Sequence, residues 1–201
     1  VSMDEKPEVH EVFEHTSLGV DNRKLGIWTF LASEALLFSA LIGTFITQAH
    51  QSKSGPYPRD VLSLPLVSVN TFILIASSLA MVTALSHAQE GNRGKTIRWL
   101  IATAALGLAF LGGQAFEFYH LFTNQLTMSQ NLFGASFFTL TGTHGLHVLA
   151  GVIWIILMTI QVFQRRGTDQ QIAFRVELLG LYWHFVDLIW IIIFTFVYLL
   201  S

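Results

Sequence analysis

The chain has 201 residues, a length typical of one domain. Apolar residues make up 52% of it and charged residues only 12%, whereas soluble chains are about one quarter charged. The net charge of −2 is small and its charges are scattered, which excludes a nucleic-acid-binding surface. The lack of cysteine excludes disulfides, thiolate metal sites and iron–sulfur clusters. Such a composition indicates an integral membrane protein.

Five apolar stretches are each long enough to cross a bilayer, whose hydrocarbon core needs about 20 helical residues. Glycine, proline and charged residues separate them. The sequence therefore predicts an all-α bundle of five transmembrane helices over 25–201, after an N-terminal segment over 1–24. We expect the helices at 25–49, 66–88, 97–122, 133–163 and 176–200.

The basic residues divide unequally between the two sides of this predicted bundle. The first and third loops and the C-terminus hold only Lys53 and Arg59. By the positive-inside rule, the N-terminus is predicted to be cytoplasmic and the C-terminus outside. The other side carries nine basic residues: Lys6, Arg23, Lys24, Arg93, Lys95, Arg98, Arg165, Arg166 and Arg175.

Glu34 is the one ionisable residue in the middle of the first predicted helix. Ionisable groups in hydrocarbon are costly and are therefore candidates for function. As a proton carrier Glu34 would need a water chain on either side, and helix 1 offers no second buried ionisable group. As a structural acid it would be neutral and donate one hydrogen bond, which is the reading we favour.

The third helix carries a polar stripe at spacings of one, three and three residues. Residues three and four apart share one side of a helix, so this stripe is expected to face neighbouring helices and not lipid. Glu117 and His120 lie near the helix end, where interfacial water lowers their cost. The stripe consists of Gly113, Gln114, Glu117 and His120.

The fourth helix contains His144 and His147, next to a stripe of small and polar residues (Ser136, Thr143, Gly151). Two histidines at i and i+3 could share one metal ion or serve a haem, with His184 as a third ligand. Axial haem ligation, however, needs opposed histidines on separate helices. We favour hydrogen-bonded packing residues that pair with buried acids, and we predict no metal site.

The fifth helix places Gly180, His184, Asp187 and Thr195 on one face. Asp187, one turn after His184, is expected to hold that imidazole. A hydrolytic reading of the two lacks a nucleophile with a recognisable motif, so we predict no catalytic residue. The aromatic residues near span ends, Trp28, Trp99, Tyr182, Trp183 and Tyr198, suit an interfacial belt.

These motifs together resemble the subunit III family of haem-copper terminal oxidases. Residues 133–151, FGASFFTLTGTHGLHVLAG, look like its fourth-helix signature, and residues 182–190, YWHFVDLIW, like its last-helix signature. The segment SEALLF around Glu34 resembles its buried-glutamate segment. GQAFEFY over 113–119, with Leu64-Pro65, Asn70-Thr71 and Ala76-Ser77-Ser78, extends the resemblance through the remaining helices.

The resemblance implies a chain that binds no haem or copper itself. Such subunits pack beside subunit I, the catalytic subunit, and the haem and copper of the complex lie in partner subunits. The complex reduces oxygen to water and pumps protons in the aerobic respiratory chain. The family holds phospholipids in a V-shaped cleft, and is thought to support proton uptake and oxygen access and to protect the catalytic subunit. The five-helix form implies the cytoplasmic (inner) membrane of a bacterium.

Two departures from the family bear on lipid binding. Longer relatives have seven helices, so other parts of the complex must close the cleft here. Some relatives carry a phospholipid-binding arginine where this chain has Gln161. Arg165 and Arg166, a turn later, are candidates to replace it, and Trp183 is a further candidate lipid contact.

The electron donor is predicted to be cytochrome c, because some quinol-oxidase relatives have aspartate where this chain has Glu34. Subunit III of a quinol oxidase is the alternative. From other classes, a haem-binding membrane cytochrome would show its own Soret band, and a small transporter would show the broken helices that are missing here.

One contact is expected from both the residues and the resemblance. Glu34 and His147 lie at mid-span, and an unpaired buried polar group costs about 1–3 kcal/mol, so each should find a partner on another helix. In the family the matching side chains lie on facing helices. We therefore predict a carboxyl–imidazole hydrogen bond of about 2.6–3.2 Å.

Overall fold

The computed structural model describes residues 21–49, 64–123 and 132–200. These residues form five long α-helices, each long and apolar enough to cross a membrane. This confirms the predicted all-α architecture and its five spans. The N-terminal segment lies outside the described residues, except for its last few. The helices are α1 (Asn22–Ala49), α2 (Leu64–Gln89), α3 (Arg93–Thr123), α4 (Leu132–Phe163) and α5 (Asp169–Phe194), and α5 continues as a π-helical turn, Thr195–Leu199.

The fifth helix begins seven residues earlier than the apolar pattern predicted. Thr168 caps it: its side chain accepts a hydrogen bond from the Gln171 N–H, and the Gln171 side chain accepts from the Thr168 N–H. Asp169 in the first turn suits the positive end of the helix dipole. Because polar and charged residues make up most of 169–175, an apolar pattern does not reveal that this stretch is helical.

The helices pack as two antiparallel pairs, α2 with α3 and α4 with α5, which are joined by α2–α5 and α3–α4 contacts. The α2–α3 turn is tight, and Gly91 adopts a positive φ of 71° there. Helix α1 packs on α4 and α5 and leaves most of its surface exposed.

Trp183 of α5 forms the centre of the interhelical packing. Its side chain is fully buried, and its Nε1–H donates to the Ser77 hydroxyl at 3.0 Å. A Cβ placed at Gly107 of α3 or at Gly151 of α4 would lie 2.8 Å from the indole ring. The assignment of Trp183 to an interfacial belt is therefore wrong, and the buried ring offers no exposed surface for its candidate role as a lipid contact. The ring lies near the middle of α5, because that helix begins at Asp169.

The other aromatic residues assigned to the belt divide between surface and interior. Trp28 and Trp99 are exposed, as a belt requires, whereas Tyr182 and Tyr198 are buried. Large apolar side chains such as Leu36, Phe72 and Phe163 cover the outside of the bundle. A surface of this kind is stable against hydrocarbon and not against water.

Ion pairs join three helix ends at one end of the bundle. Lys24 at the start of α1 lies 2.7 Å from the Glu177 carboxylate of α5. Arg93 at the start of α3 donates to Asp169 at the start of α5, with the shortest N–O distance 2.6 Å. All eight lysine and arginine residues in the described ranges lie in the segments that meet at this end.

Candidate functional site

The polar centre between α1 and α4 is the pair of Glu34 and His147. Glu34 Oε2 lies 3.0 Å from His147 Nε2, within the distance range predicted from the sequence. The predicted pairing is confirmed. Both side chains are mostly buried, with 17% and 18% of their surfaces exposed, so the contact is shielded from bulk solvent on most sides.

The second ring nitrogen of His147 limits where the shared proton can lie. His147 Nδ1 is 2.8 Å from the Thr143 carbonyl oxygen, which only accepts, so Nδ1 carries a hydrogen. The Nε2 atom then either accepts from a neutral Glu34 carboxyl or, in an imidazolium, donates to the carboxylate. The pair can thus hold one proton between two helices, and its hydrogen bond fixes the distance between them.

Aromatic rings and a tyrosine hydroxyl hold this pair in place. The Phe38 ring meets the His147 ring edge-on, with centroids 5.0 Å apart. The Tyr182 hydroxyl of α5 donates to the His147 carbonyl at 3.0 Å. The Tyr182 ring packs between Phe30 of α1 and Trp154 of α4. Three helices therefore meet around one histidine.

His144 has a different environment from His147. Its imidazole is fully buried, stacks on Trp190 with centroids 4.9 Å apart, and meets Phe110 edge-on. In the described part of the chain neither of its nitrogens has a hydrogen-bond partner. The expectation that the helix-4 histidines pair with buried acids is right for His147 and wrong for His144.

The geometry does not bring the three histidines together as metal ligands. Both nitrogens of His147 are engaged, with Thr143 and Glu34. His184 Nδ1 pairs with the Ser78 hydroxyl of α2 at 2.6 Å. Across residues 21–49, 64–123 and 132–200 no three histidine or carboxylate side chains cluster at metal-binding distance.

Asp187 does not hold His184, contrary to the sequence-based expectation. Its two carboxyl oxygens are buried and make no hydrogen bond to His184, and the polar group nearest to them is the Ser78 hydroxyl. The imidazole of His184 instead binds Ser78, a residue quoted only as part of a family motif. A single serine among many hydroxyl residues gives no sequence signal for such a contact.

The polar stripe of α3 faces its neighbours, as predicted, up to its last member. Gln114 and Glu117 are buried: Gln114 Nε2 donates to the Thr141 carbonyl of α4 at 3.2 Å, and the Tyr198 hydroxyl donates to Glu117 at 3.0 Å. A Cβ on Gly113 would lie 2.5 Å from the Asn70 side chain of α2. His120, near the helix end, is exposed.

A cavity of about 720 Å³ opens between α4 and α5, near the ion-paired end of the bundle. Its deeper wall is formed by Trp154, Met158 and Leu178, and its mouth is formed by polar residues. Of the two arginines predicted to bind lipid, Arg166 lines the mouth and Arg165 does not line the cavity. The polar lining residues are Gln161, Arg166, Gly167, Gln171 and Arg175.

Arg175 is the lining residue that sequence reasoning missed. Its guanidinium donates to the Gln161 side chain at 3.2 Å, so a positive charge lies beside the position where some relatives carry an arginine. Gln161 and Arg175 are each seven residues from Thr168, which caps α5. Residues at equal distances from the turn of an antiparallel helix pair lie opposite each other. This register could have indicated from the sequence that Arg175 lies next to Gln161.

The family model described as cytochrome c oxidase subunit III matches residues 6–201, nearly the entire chain. The chain belongs to this family. It is accordingly subunit III of a haem-copper oxidase, part of an oxidoreductase complex in a membrane.

Curated members of the subunit III family include both donor types. The chain is 38% identical over 197 residues to the cytochrome bo(3) ubiquinol oxidase subunit 3 of Pseudomonas aeruginosa, covering 96% of this chain and 94% of the relative. It is 38% identical over 189 residues to the cytochrome c oxidase subunit 3 of Alkalihalophilus pseudofirmus, covering 94% and 91%. A probable quinol oxidase subunit 3 of Staphylococcus aureus is 38% identical over 179 residues, covering 89% of each chain.

Proposed function

We propose that this subunit III carries no redox centre and acts by stabilising the catalytic subunit I of its oxidase, beside which it packs. The full-length family match supports this role, and the Glu34–His147 contact is the observation that carries it. Such a contact holds two helices at a fixed distance, which suits a structural role. In this role the subunit supports proton uptake and oxygen access in a complex that reduces oxygen to water and pumps protons.

The proposed location is the cytoplasmic (inner) membrane of a bacterium, with the N-terminus in the cytoplasm. The names of bacterial relatives support the first part. The gathering of the eight described cations at one end of the bundle supports the second, because lysine and arginine are enriched on the cytoplasmic side.

A bound phospholipid is proposed for the cavity between α4 and α5. Arg166 and Arg175 at its mouth supply positive charge for a phosphate, and Gln161 supplies a hydrogen-bonding group. The apolar wall of Trp154, Met158 and Leu178 suits an acyl chain. A cavity with a polar mouth and an apolar wall suits a lipid, which has both a charged headgroup and an acyl chain, better than it suits a soluble anion.

Substitution of Arg175 tests this lipid site. We expect Arg175→Gln to weaken the binding of one phosphatidylglycerol about five-fold, since a basic residue near the membrane surface contributes about 1 kcal/mol. Native mass spectrometry of the purified oxidase measures the bound lipid. Arg23→Gln, which removes an exposed cation from the start of α1, is the control and should change nothing. Equal lipid binding in all three proteins would rule the site out.

The proposed electron donor is cytochrome c, on the ground that Glu34 stands where some quinol-oxidase relatives have aspartate. The names of two relatives favour a quinol instead. Turnover of the purified oxidase with reduced cytochrome c and with a ubiquinol distinguishes the two. We expect oxygen consumption with cytochrome c and a copper-A subunit among the co-purifying chains. Turnover with ubiquinol alone would assign the complex to the quinol type.

A further inference from the structure

We propose that α3 and α4 form a second phospholipid site, which takes an anionic diacyl lipid on the side of α4 opposite the first cavity. Two openings carry this inference. An open cavity of about 450 Å³ near the start of α3 is lined by His87, Lys95, Arg98, Trp99 and Ala102. An apolar groove of about 280 Å³ runs between α3 and α4, lined by Ile101, Ala104, Ala105, Leu108, Ile156, Thr159 and Ile160.

The helical register of α3 places Arg98, a lining residue of the basic cavity, above the apolar groove. Arg98, Ile101, Ala105 and Leu108 follow one another at spacings of three, four and three residues, so they form a single stripe. From Arg98 to Leu108 the helix rises about 15 Å. Arg98 can therefore meet the phosphate of a lipid whose acyl chain lies in the groove, whereas Lys95, Trp99 and Ala102 lie on the side of α3 that faces α2.

Two side chains of the basic cavity, Lys95 and Arg98, are free to bind an anion, whereas His87 pairs with the Glu90 carboxylate. Lys95 and Arg98 are exposed, and within the described ranges neither has an acidic partner. Lys24 and Arg93, by contrast, are paired with carboxylates. Trp99, 39% exposed, lies beside the two cations, where an amphipathic ring suits the boundary between headgroup and hydrocarbon.

The lining of the groove suits an acyl chain, which is apolar along its length and needs no hydrogen-bond partner. Ala104 and Ala105 form the floor of the groove where the two helices approach, and isoleucine and leucine side chains form its walls. The only polar lining group, the Thr159 hydroxyl, already donates to the Ile155 carbonyl.

This site is separate from the cavity between α4 and α5. Trp154, Met158 and Gln161 line that cavity, whereas Ile156, Thr159 and Ile160 line the groove. At 3.6 residues per turn the two sets point in directions about 180° apart on α4. The second lipid site is thus additional to the lipid site of the proposed function, and the inference does not depend on that function.

Native mass spectrometry of the detergent-purified oxidase, titrated with dioleoylphosphatidylglycerol, tests the site. Arg98→Gln should weaken one bound lipid about five-fold, the effect of one juxtamembrane cation. The control Arg23→Gln should bind as the unaltered protein does. Ala105→Phe fills the groove and should remove the same lipid, and Arg98→Gln combined with Ala105→Phe should lose no further lipid. Arg175→Gln should leave this lipid bound.

Several results would overturn the proposal. Arg98→Gln could bind phosphatidylglycerol as tightly as Arg23→Gln does, or Ala105→Phe could retain every lipid. An equal effect of Arg98→Gln on dioleoylphosphatidylcholine would show that charge is not recognised. Release of a polypeptide by Ala105→Phe, in place of a lipid, would assign the groove to a partner helix.

Discussion

Glu34 and His147 are 113 residues apart in the chain and meet at 3.0 Å between α1 and α4. Helix α1 has few buried side chains, so this contact contributes a large share of what fixes its position. A polar pair in hydrocarbon is also directional, since a slip of one turn would leave both groups unpaired. The pair therefore specifies the register of α1 as well as stabilising it.

Substitutions at Glu34 separate hydrogen bonding from size. Glu34→Gln keeps a group that donates to His147 Nε2, so we expect little effect. Glu34→Leu strands the imidazole nitrogen, which costs about 1–3 kcal/mol, and should loosen the subunit from the complex. The fraction of this chain retained after detergent washing of the oxidase measures the effect. Equal retention of both variants would contradict the structural role of the pair.

A contact of the site could be predicted from the sequence when its side chains have few possible hydrogen-bond partners. A mid-span carboxyl and a mid-span imidazole have few possible partners, so their pairing was predictable. His184 contacts Ser78, one of many hydroxyl residues in the helices, so the sequence did not indicate this partner. The sequence pattern also gave no sign that aromatic rings surround His144. Arg175 was overlooked because the polar start of α5 was not recognised as helix.

At the scale of whole elements, α5 organises the bundle. It packs against α2, α4 and α1, and its Trp183 and Trp190 donate hydrogen bonds to Ser77 and Thr71 of α2. The number of helices followed from apolar length alone. The arrangement of the helices in space could not be predicted in this way. Every helix is apolar on most of its surface, so the side that faces lipid and the side that faces another helix have similar compositions.

Glycine substitutions test the packing around Trp183. A Cβ at Gly107 would lie 2.8 Å from both the indole ring and Val152, so Gly107→Ala overpacks the centre and should cost about 1–3 kcal/mol. Gly112→Ala on the same helix has no atom within 4 Å of its Cβ and should be neutral or slightly stabilising. The temperature at which each variant dissociates from the oxidase measures the difference. Identical temperatures would refute the close packing.

At the scale of the whole molecule, the described cations gather at one end, where α1, α3 and α5 begin and α4 ends. The ion pairs Lys24–Glu177 and Arg93–Asp169 join these ends to each other. The opposite loops, which contain Lys53 and Arg59, lie outside the described residues. The charge asymmetry is thus a property of the assembled bundle and not only of the linear sequence.

The proposed topology rests on that asymmetry, and a labelling experiment tests it. The chain has no cysteine, so single cysteines introduced into it are unambiguous. In intact cells, Ser54→Cys should react with an impermeant maleimide, and Asn92→Cys should react only after the membrane is opened. Reaction of Asn92→Cys alone in intact cells would invert the proposed orientation.

Depletion of this chain from the purified oxidase tests its non-redox, stabilising role most directly. We expect an unchanged haem absorption spectrum and unchanged initial turnover, followed by a faster loss of activity during turnover that added subunit reverses. Loss of haem absorbance together with the chain, or a Soret band carried by the isolated chain, would contradict it.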